Sequence, residues 1–159
     1  MTYKANIIFN KLAMYDTSIG DYWDYFKNLV EHKVDVYKAG RDFSAPRLSL
    51  IAHDWDKFFP KMFKRYAEWF NGPMGRTGTR DPLLRQEWGL QVEAHKERSA
   101  HHHPENFEQE LEAVADWYSA SKRSAGNPPD YPPVEDWLRG QLYSLNVSDY
   151  TKQYLSNYL

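Results

Sequence analysis

The sequence predicts an all-α fold, a single domain of six to seven helices. Three observations lead there. Apolar residues recur at three- and four-residue steps in block after block, and no run shows the strict alternation of a half-buried strand. Eight Gly and nine Pro punctuate the 159 residues into those blocks. Aromatic residues make up 16% of the chain, enough large side chains to fill a helical core.

The elements follow in order. Residues 1–17 hold Asn6-Ile7-Ile8-Phe9-Asn10, which reads as a short strand or as part of an extended N-terminal arm. The first helix is expected from about Gly20 to Ala39. Tyr22, Phe26, Leu29, Val30, Val34 and Tyr37 recur there at helical steps, and Gly40 suits the residue after the last turn. A short second helix follows Ser44 and covers Arg47 to His53. A third covers Pro60 to Phe70, with Phe59, Met62, Phe63, Tyr66, Trp69 and Phe70 as one stripe, and Asn71-Gly72-Pro73 stops it. Residues 71–81 read as a Gly-rich loop. Asp81-Pro82 then opens a fourth helix that reaches Arg98. Pro104 is expected to start a fifth, with Phe107, Leu111, Val114 and Tyr118 buried, ending near Gly126. The Gly126–Pro133 segment reads as a stiff linker. Two shorter helices, Val134–Leu145 and Ser148–Leu159, complete the chain.

Composition removes several classes of function. With no cysteine there are no disulfides, thiolate nucleophiles, Cys-ligated zinc ions or iron–sulfur clusters, so a metal site must be built from His, Asp and Glu. Twenty basic and 22 acidic residues give a net charge of −2, without the positive field that drives binding to duplex nucleic acid. No apolar run is long enough to span a membrane. Residues 1–20 lack the features of a secretory signal, so the expected location is the cytoplasm.

The chemistry concentrates on histidines and carboxylates. His32 shares its helical face with Tyr25, Leu29 and Val36, and His95 shares one with Leu84, Trp88 and Val92, so both are expected to point inward. A buried imidazole needs a hydrogen-bond partner or a metal. In Ala52-His53-Asp54-Trp55-Asp56-Lys57-Phe58, a neutral nitrogen and an anionic oxygen are adjacent at the expected end of a helix, where both can reach one cation. Lys57 adds a positive charge suited to phosphate. Asp116 falls among Val114, Ala115, Trp117 and Tyr118, a setting that costs a carboxylate several kcal/mol, roughly, unless it is paired or metal-bound. His101-His102-His103 supplies a further ligand, with His102 preferred among the three. Among the basic residues, Arg76 and Arg80 of the Gly-rich loop are the candidates for substrate binding, on a loop that closes as a lid.

The order His32, His53-Asp54, Asp116 resembles the HD-domain superfamily of metal-dependent phosphohydrolases, and His53-Asp54-Trp55-Asp56-Lys57 is similar to that family's His-Asp-x-x-Lys. The chain is also similar to an uncharacterised family of phage and bacterial proteins. The shared features are the His-Lys pair in the first helix, His-Asp-x-x-Lys-Phe, the Tyr66–Phe70 helix, the histidine knot and Asp116-Trp117. Trp55 and Asp56 depart from the superfamily, which more often has a small aliphatic residue and Gly there.

The resemblance implies an HD-like helical bundle in which His32, His53, Asp54 and Asp116 hold one divalent transition metal (Mn, Fe or Co). His95 and one of His101–His103 would hold a second ion or protonate a leaving oxygen. Lys57, with Arg76 and Arg80, would offset charge on a small phosphorylated substrate such as a nucleotide. Two alternatives stand beside this reading: an HD-like di-iron oxygenase, and a non-catalytic phage-type accessory protein that uses the same residues as a structural metal clamp. No membrane partner is expected. The host cytoplasm is the location if the chain is phage-encoded, and the sequence leaves homo-oligomerisation open.

Overall fold

In the computed structural model, residues 17–78 and 81–159 are described, and among them every regular element is helical. The helices of more than five residues are α1 (Ile19–Asp42), α2 (Arg47–Ala52), α3 (Pro60–Phe70), α4 (Pro82–Arg98), α5 (Phe107–Ser124), α6 (Val134–Gln141) and α7 (Asp149–Ser156). Short 3-10 turns lie at Trp55–Phe58, Ala100–His102 and Leu142–Ser144. The all-α expectation holds. The arm or strand expected near Asn6–Asn10 lies outside the described residues. Among the described residues no helix is long and apolar enough to cross a membrane.

The chain divides into two compact units. One holds Trp55–Arg98 with the described chain up to Val30; the other holds Glu31–Asp54 and Ser99–Leu159. α1 contributes its first half to one and its second half to the other.

In the first unit α1 begins with a reciprocal cap. The Ser18 amide and hydroxyl both donate to Asp21 Oδ2 at 2.8 Å, and the Asp21 amide donates back to Ser18 Oγ at 3.2 Å. Tyr25 and Leu29 pack on Met62, Tyr66 and Ala67 of α3. Trp69 and Trp88 stack face to face, 4.1 Å between centroids.

The region 71–81 is more ordered than a loop, because Pro73–Thr77 makes a single turn of helix. Two of its glycines, Gly72 and Gly75, serve close packing. A Cβ at Gly72 would meet the Glu68 carbonyl oxygen at 2.6 Å, and one at Gly75 the Trp69 carbonyl oxygen at 2.5 Å.

The second unit is built on Val36 and Ala39 of α1 and Phe43 just after it, Leu50 of α2, Leu111, Val114 and Ala115 of α5, Val134 and Leu138 of α6, and Leu155 of α7. Of the row expected on α1, Leu29 is buried, whereas Phe26, Val30 and Val34 are largely exposed; the buried face is the one that also carries His32.

α1 also runs past Gly40. The Ala45 amide donates to the Gly40 carbonyl at 2.8 Å and the Ser44 amide to that of Arg41 at 3.2 Å, while Ser44 takes φ 63°. This is the closing pattern of a Schellman motif, with Ser44 in the left-handed position that the sequence assigns to Gly40. Gly40 instead makes room for α2, since a Cβ there would lie 2.4 Å from a Leu50 methyl carbon.

α5 starts after Asn106, whose side chain accepts from the Gln109 amide, and not at Pro104. Glu110 holds the start of α7, accepting from the Ser148 amide at 2.8 Å, the Ser148 hydroxyl at 2.7 Å and the Thr151 hydroxyl.

Candidate metal centre

The second unit alone brings together a cluster of histidines and carboxylates. α1 supplies His32, the end of α2 His53 and Asp54, the 3-10 turn His101, and α5 Glu112, Asp116 and Ser119. Helical spacing prepares it. Glu112, Asp116 and Ser119 are four and three residues apart, so they share one face of α5; Ser49 of α2 lies one turn before His53, the residue that caps that helix.

After Ala52 the backbone leaves the helix. His53 takes φ −48° and ψ 130°, and Asp54 takes φ 55°. Asp tolerates the left-handed region better than most residues. Neighbouring side chains on a helix diverge by about 100°; this reversal turns both toward one point. Lys33 Nζ closes the end of α2, donating to the Ile51 carbonyl at 3.0 Å and to that of His53.

His32 Nε2 and His53 Nε2 are 3.3 Å apart. Asp116 Oδ1 is 3.1 Å from the first and 3.3 Å from the second. Asp54 Oδ2 is 3.3 and 3.6 Å from the same two atoms. Donors bound about 2.1 Å from one ion are spaced roughly 3.0–3.4 Å apart in octahedral or tetrahedral geometry, and these distances fall in or close to that window. His101 Nε2 faces the other carboxylate oxygens, 3.8 Å from Asp54 Oδ1 and 3.9 Å from Asp116 Oδ2.

Behind these atoms each ring's second nitrogen is engaged. His32 Nδ1 is 2.9 Å from the Ser119 hydroxyl. His53 Nδ1 and His101 Nδ1 lie 3.0 and 3.2 Å from Glu112 Oε1, and the Ser49 hydroxyl donates to Glu112 Oε2.

The electrostatics show what the cluster demands. Burial acts to raise Asp116, but hydrogen bonds from His32 and then His53 outweigh it and hold the carboxyl far below its usual range. Burial also acts to raise Glu112, and its bonds with His101, His53 and Ser49 bring it down to about 2. For His53 burial disfavours the charged ring, yet the Asp54 charge and the bonds to Asp116 and Glu112 push it up to about 9. Buried carboxylates facing unprotonated imidazole nitrogens require positive charge among them, and a proton on His53 is the smallest that meets the need. A divalent cation meets it more fully, and a nitrogen–oxygen donor set of this kind suits borderline transition metals.

The other residues with an expected role are placed as follows. Of the three consecutive histidines, the one that enters this cluster is His101 and not the preferred His102. Successive side chains of a 3-10 turn point about 120° apart, and the His102 ring lies against that of His101, 4.3 Å between centroids.

Lys57 and His95 belong to the first unit. Lys57 Nζ sits 5.5 Å from the centre of the Tyr66 ring. His95 is buried, with Nδ1 donating to the Asp56 carboxylate at 2.9 and 3.1 Å. Arg76, expected on a lid over substrate, is an exposed side chain that acts as counterion to a carboxylate of the chain itself. It pairs with buried Asp21 and donates to the Asn71 carbonyl at 2.6 Å. Arg80 lies outside the described residues.

Glu112, Ser49 and Ser119 were not anticipated as functional. The legible signal was the four- and three-residue spacing that sets Glu112 and Ser119 on the face of Asp116.

Residues 21–159 match the family model of DUF5662, a family of unknown function. The chain belongs to this family. That agrees with the expectation of an uncharacterised family. Searches of curated proteins and of solved structures each found no match.

Proposed function

We propose that the second unit binds a divalent transition metal through His32, His53, Asp54 and Asp116, and that the protein is a metal-dependent hydrolase of a nucleotide or other small phosphate ester. The observation that carries the proposal is the approach of His32 Nε2 and His53 Nε2 to 3.3 Å with a carboxylate oxygen of Asp116 against both. Two neutral imidazoles presenting lone pairs to one another and to carboxylates repel, and a shared cation reverses the sign. His101 Nε2 adds a donor nitrogen on the far side of the same two carboxylates, 3.8 Å from Asp54 Oδ1 and 3.9 Å from Asp116 Oδ2.

The reaction class rests on the order His32, His53-Asp54, Asp116 and its likeness to HD-domain phosphohydrolases. When bound, such a cation supplies a nucleophile at neutral pH and a Lewis acid for a phosphoryl oxygen. The protein's part is to hold the donors in place, to keep Asp116 ionised, and to bury the site.

A second reading has one observation in its favour. Asp54 and Asp116 each present one oxygen to His32 and His53 and the other to His101, an arrangement that suits two ions sharing both carboxylates, as a di-iron oxygenase requires.

The test is elemental analysis of untagged protein, with His53→Ala and Asp54→Asn beside it, followed by phosphate release from a panel of nucleotides and sugar phosphates. Expected is at least one transition metal per chain, lost in both variants, and metal-dependent phosphate release. Iron near two per chain with oxygen consumption and no phosphate release selects the oxygenase. A wild-type chain that takes up no transition metal refutes both.

A further inference from the structure

We infer that Glu112 is the positioning residue of the centre: its single carboxylate fixes the rings of His53 and His101 so that both Nε2 lone pairs face the Asp54 and Asp116 carboxylates, where metal would be held. The inference rests on the metal reading above and adds a residue that neither the motif nor the ligand set contains.

An ionised carboxylate accepts hydrogen bonds and donates none. Glu112 takes that form here, with the Ser49 hydroxyl and two imidazoles around it. The imidazole nitrogens at 3.0 Å and 3.2 Å from Oε1 therefore carry the hydrogens, on His53 Nδ1 and on His101 Nδ1. A neutral imidazole has one N–H, so Nε2 of each ring keeps its lone pair for a metal. Because the rings are rigid, fixing Nδ1 also aims Nε2. His53 Nε2 is delivered to 3.3 Å from Asp116 Oδ1, and His101 Nε2 to 3.8 Å from Asp54 Oδ1.

The two rings lie 4.3 Å apart, and one oxygen serves both. Loss of Glu112 thus disturbs two ligands at once. The Ser49 hydroxyl, one helical turn before His53, donates to Oε2 and keeps the carboxylate from turning away. Glu112 itself comes from the same face of α5 as Asp116, so the helix fixes the spacing between ligand and support. Its negative charge behind the rings also raises their basicity toward a metal.

Substitutions at position 112 separate three chemistries. Glutamine keeps an oxygen able to accept from both rings but removes the charge. Leucine removes the acceptor and leaves two buried N–H groups without a partner. A residue that merely filled space would let both variants bind metal equally well.

The experiment uses the full chain and zinc as the probe, with affinity measured by chelator competition and ring protonation by ¹⁵N NMR of the zinc-loaded protein. Expected is a loss of about tenfold or less for Glu112→Gln and about 100-fold for Glu112→Leu. In the wild-type spectrum, His53 and His101 should both carry hydrogen on Nδ1 and zinc on Nε2. Binding by Glu112→Leu within about threefold of wild type overturns the inference alone, as does zinc on Nδ1 of either ring. Loss of zinc stoichiometry in Glu112→Gln also overturns it, since Glu112 would then be a ligand. A wild-type chain that binds neither zinc nor another divalent transition metal overturns the metal reading together with this one. Should Glu112→Leu fail to fold, the wild-type spectrum decides by itself.

Discussion

Asp54→Asn is the most informative single change at the centre. The side chain of Asp54 is fully buried and its backbone sits at φ 55°. Asparagine has the same shape and shares the tolerance of Asp for left-handed backbone, so the variant keeps the turn. What it loses is one anionic oxygen donor. A ligand present at 100 times its Kd stabilises the folded state by about 2.7 kcal/mol. For a chain of this length each kcal/mol moves Tm by roughly 2–4 °C, so the metal should raise the wild-type Tm by about 5–11 °C. Losing a ligand costs at least the upper end of what losing an orienting hydrogen bond costs, about 100-fold in affinity. At the same free metal the stabilisation then falls to about 0.4 kcal/mol, a shift of roughly 1–2 °C. Thermal unfolding followed by tryptophan fluorescence, with and without Mn²⁺ or Co²⁺, measures both shifts. A variant that retains the full metal-dependent shift would refute the assignment of Asp54 as a ligand.

Three further predictions concern the same unit. His101→Ala should weaken metal binding by at least about tenfold, whereas His102→Ala should leave it nearly unchanged; equal losses in a chelator-competition assay would sink the distinction. Glu110→Gln should lower stability at pH 7 by about 1 kcal/mol, because the carboxylate accepts from Ser148 and Thr151. Burial acts to raise Glu110, but those hydrogen bonds outweigh it and hold the group below its ordinary 4.5. The sign is that of a depressed carboxyl: the stabilisation is present above about pH 4.5 and is lost as pH falls through the lower folded value. The gap between wild type and variant in urea unfolding should therefore close in acid; a gap that is constant with pH would contradict the assignment. Gly40→Ala gains about 1 kcal/mol in helix propensity. It loses about 1–3 kcal/mol by driving a methyl into Leu50. The expected outcome is a lowered Tm, and a raised one would show that Leu50 repacks freely.

How much of this was legible varies by element, for physical reasons. α3 and α4 begin and end where the sequence places them, because Pro at the first turn and breakers after the last act locally. Gly40 misleads for the opposite reason. A glycine near a helix end reads as a terminator, but here a long-range contact with Leu50 requires it, and only packing reveals such a contact. Arg76 is similar: an arginine in a Gly-rich segment looks available until buried Asp21 is found beside it.

The sequence by itself determined that the fold is helical, since the 3.6-residue period of apolar side chains is a local property. It also determined which residue types a metal site has to use, since a chain without cysteine leaves only histidine and carboxylates. Tertiary structure alone decided the rest. It selected His101 from three adjacent histidines, because only one direction of a 3-10 turn faces the α2–α5 contact. It turned Asp54 back toward His53 through a left-handed residue, and it placed Glu112 behind two rings separated from each other by almost 50 positions in the chain. Periodicity says which face of a helix is buried; what that face meets depends on where the other helices pack.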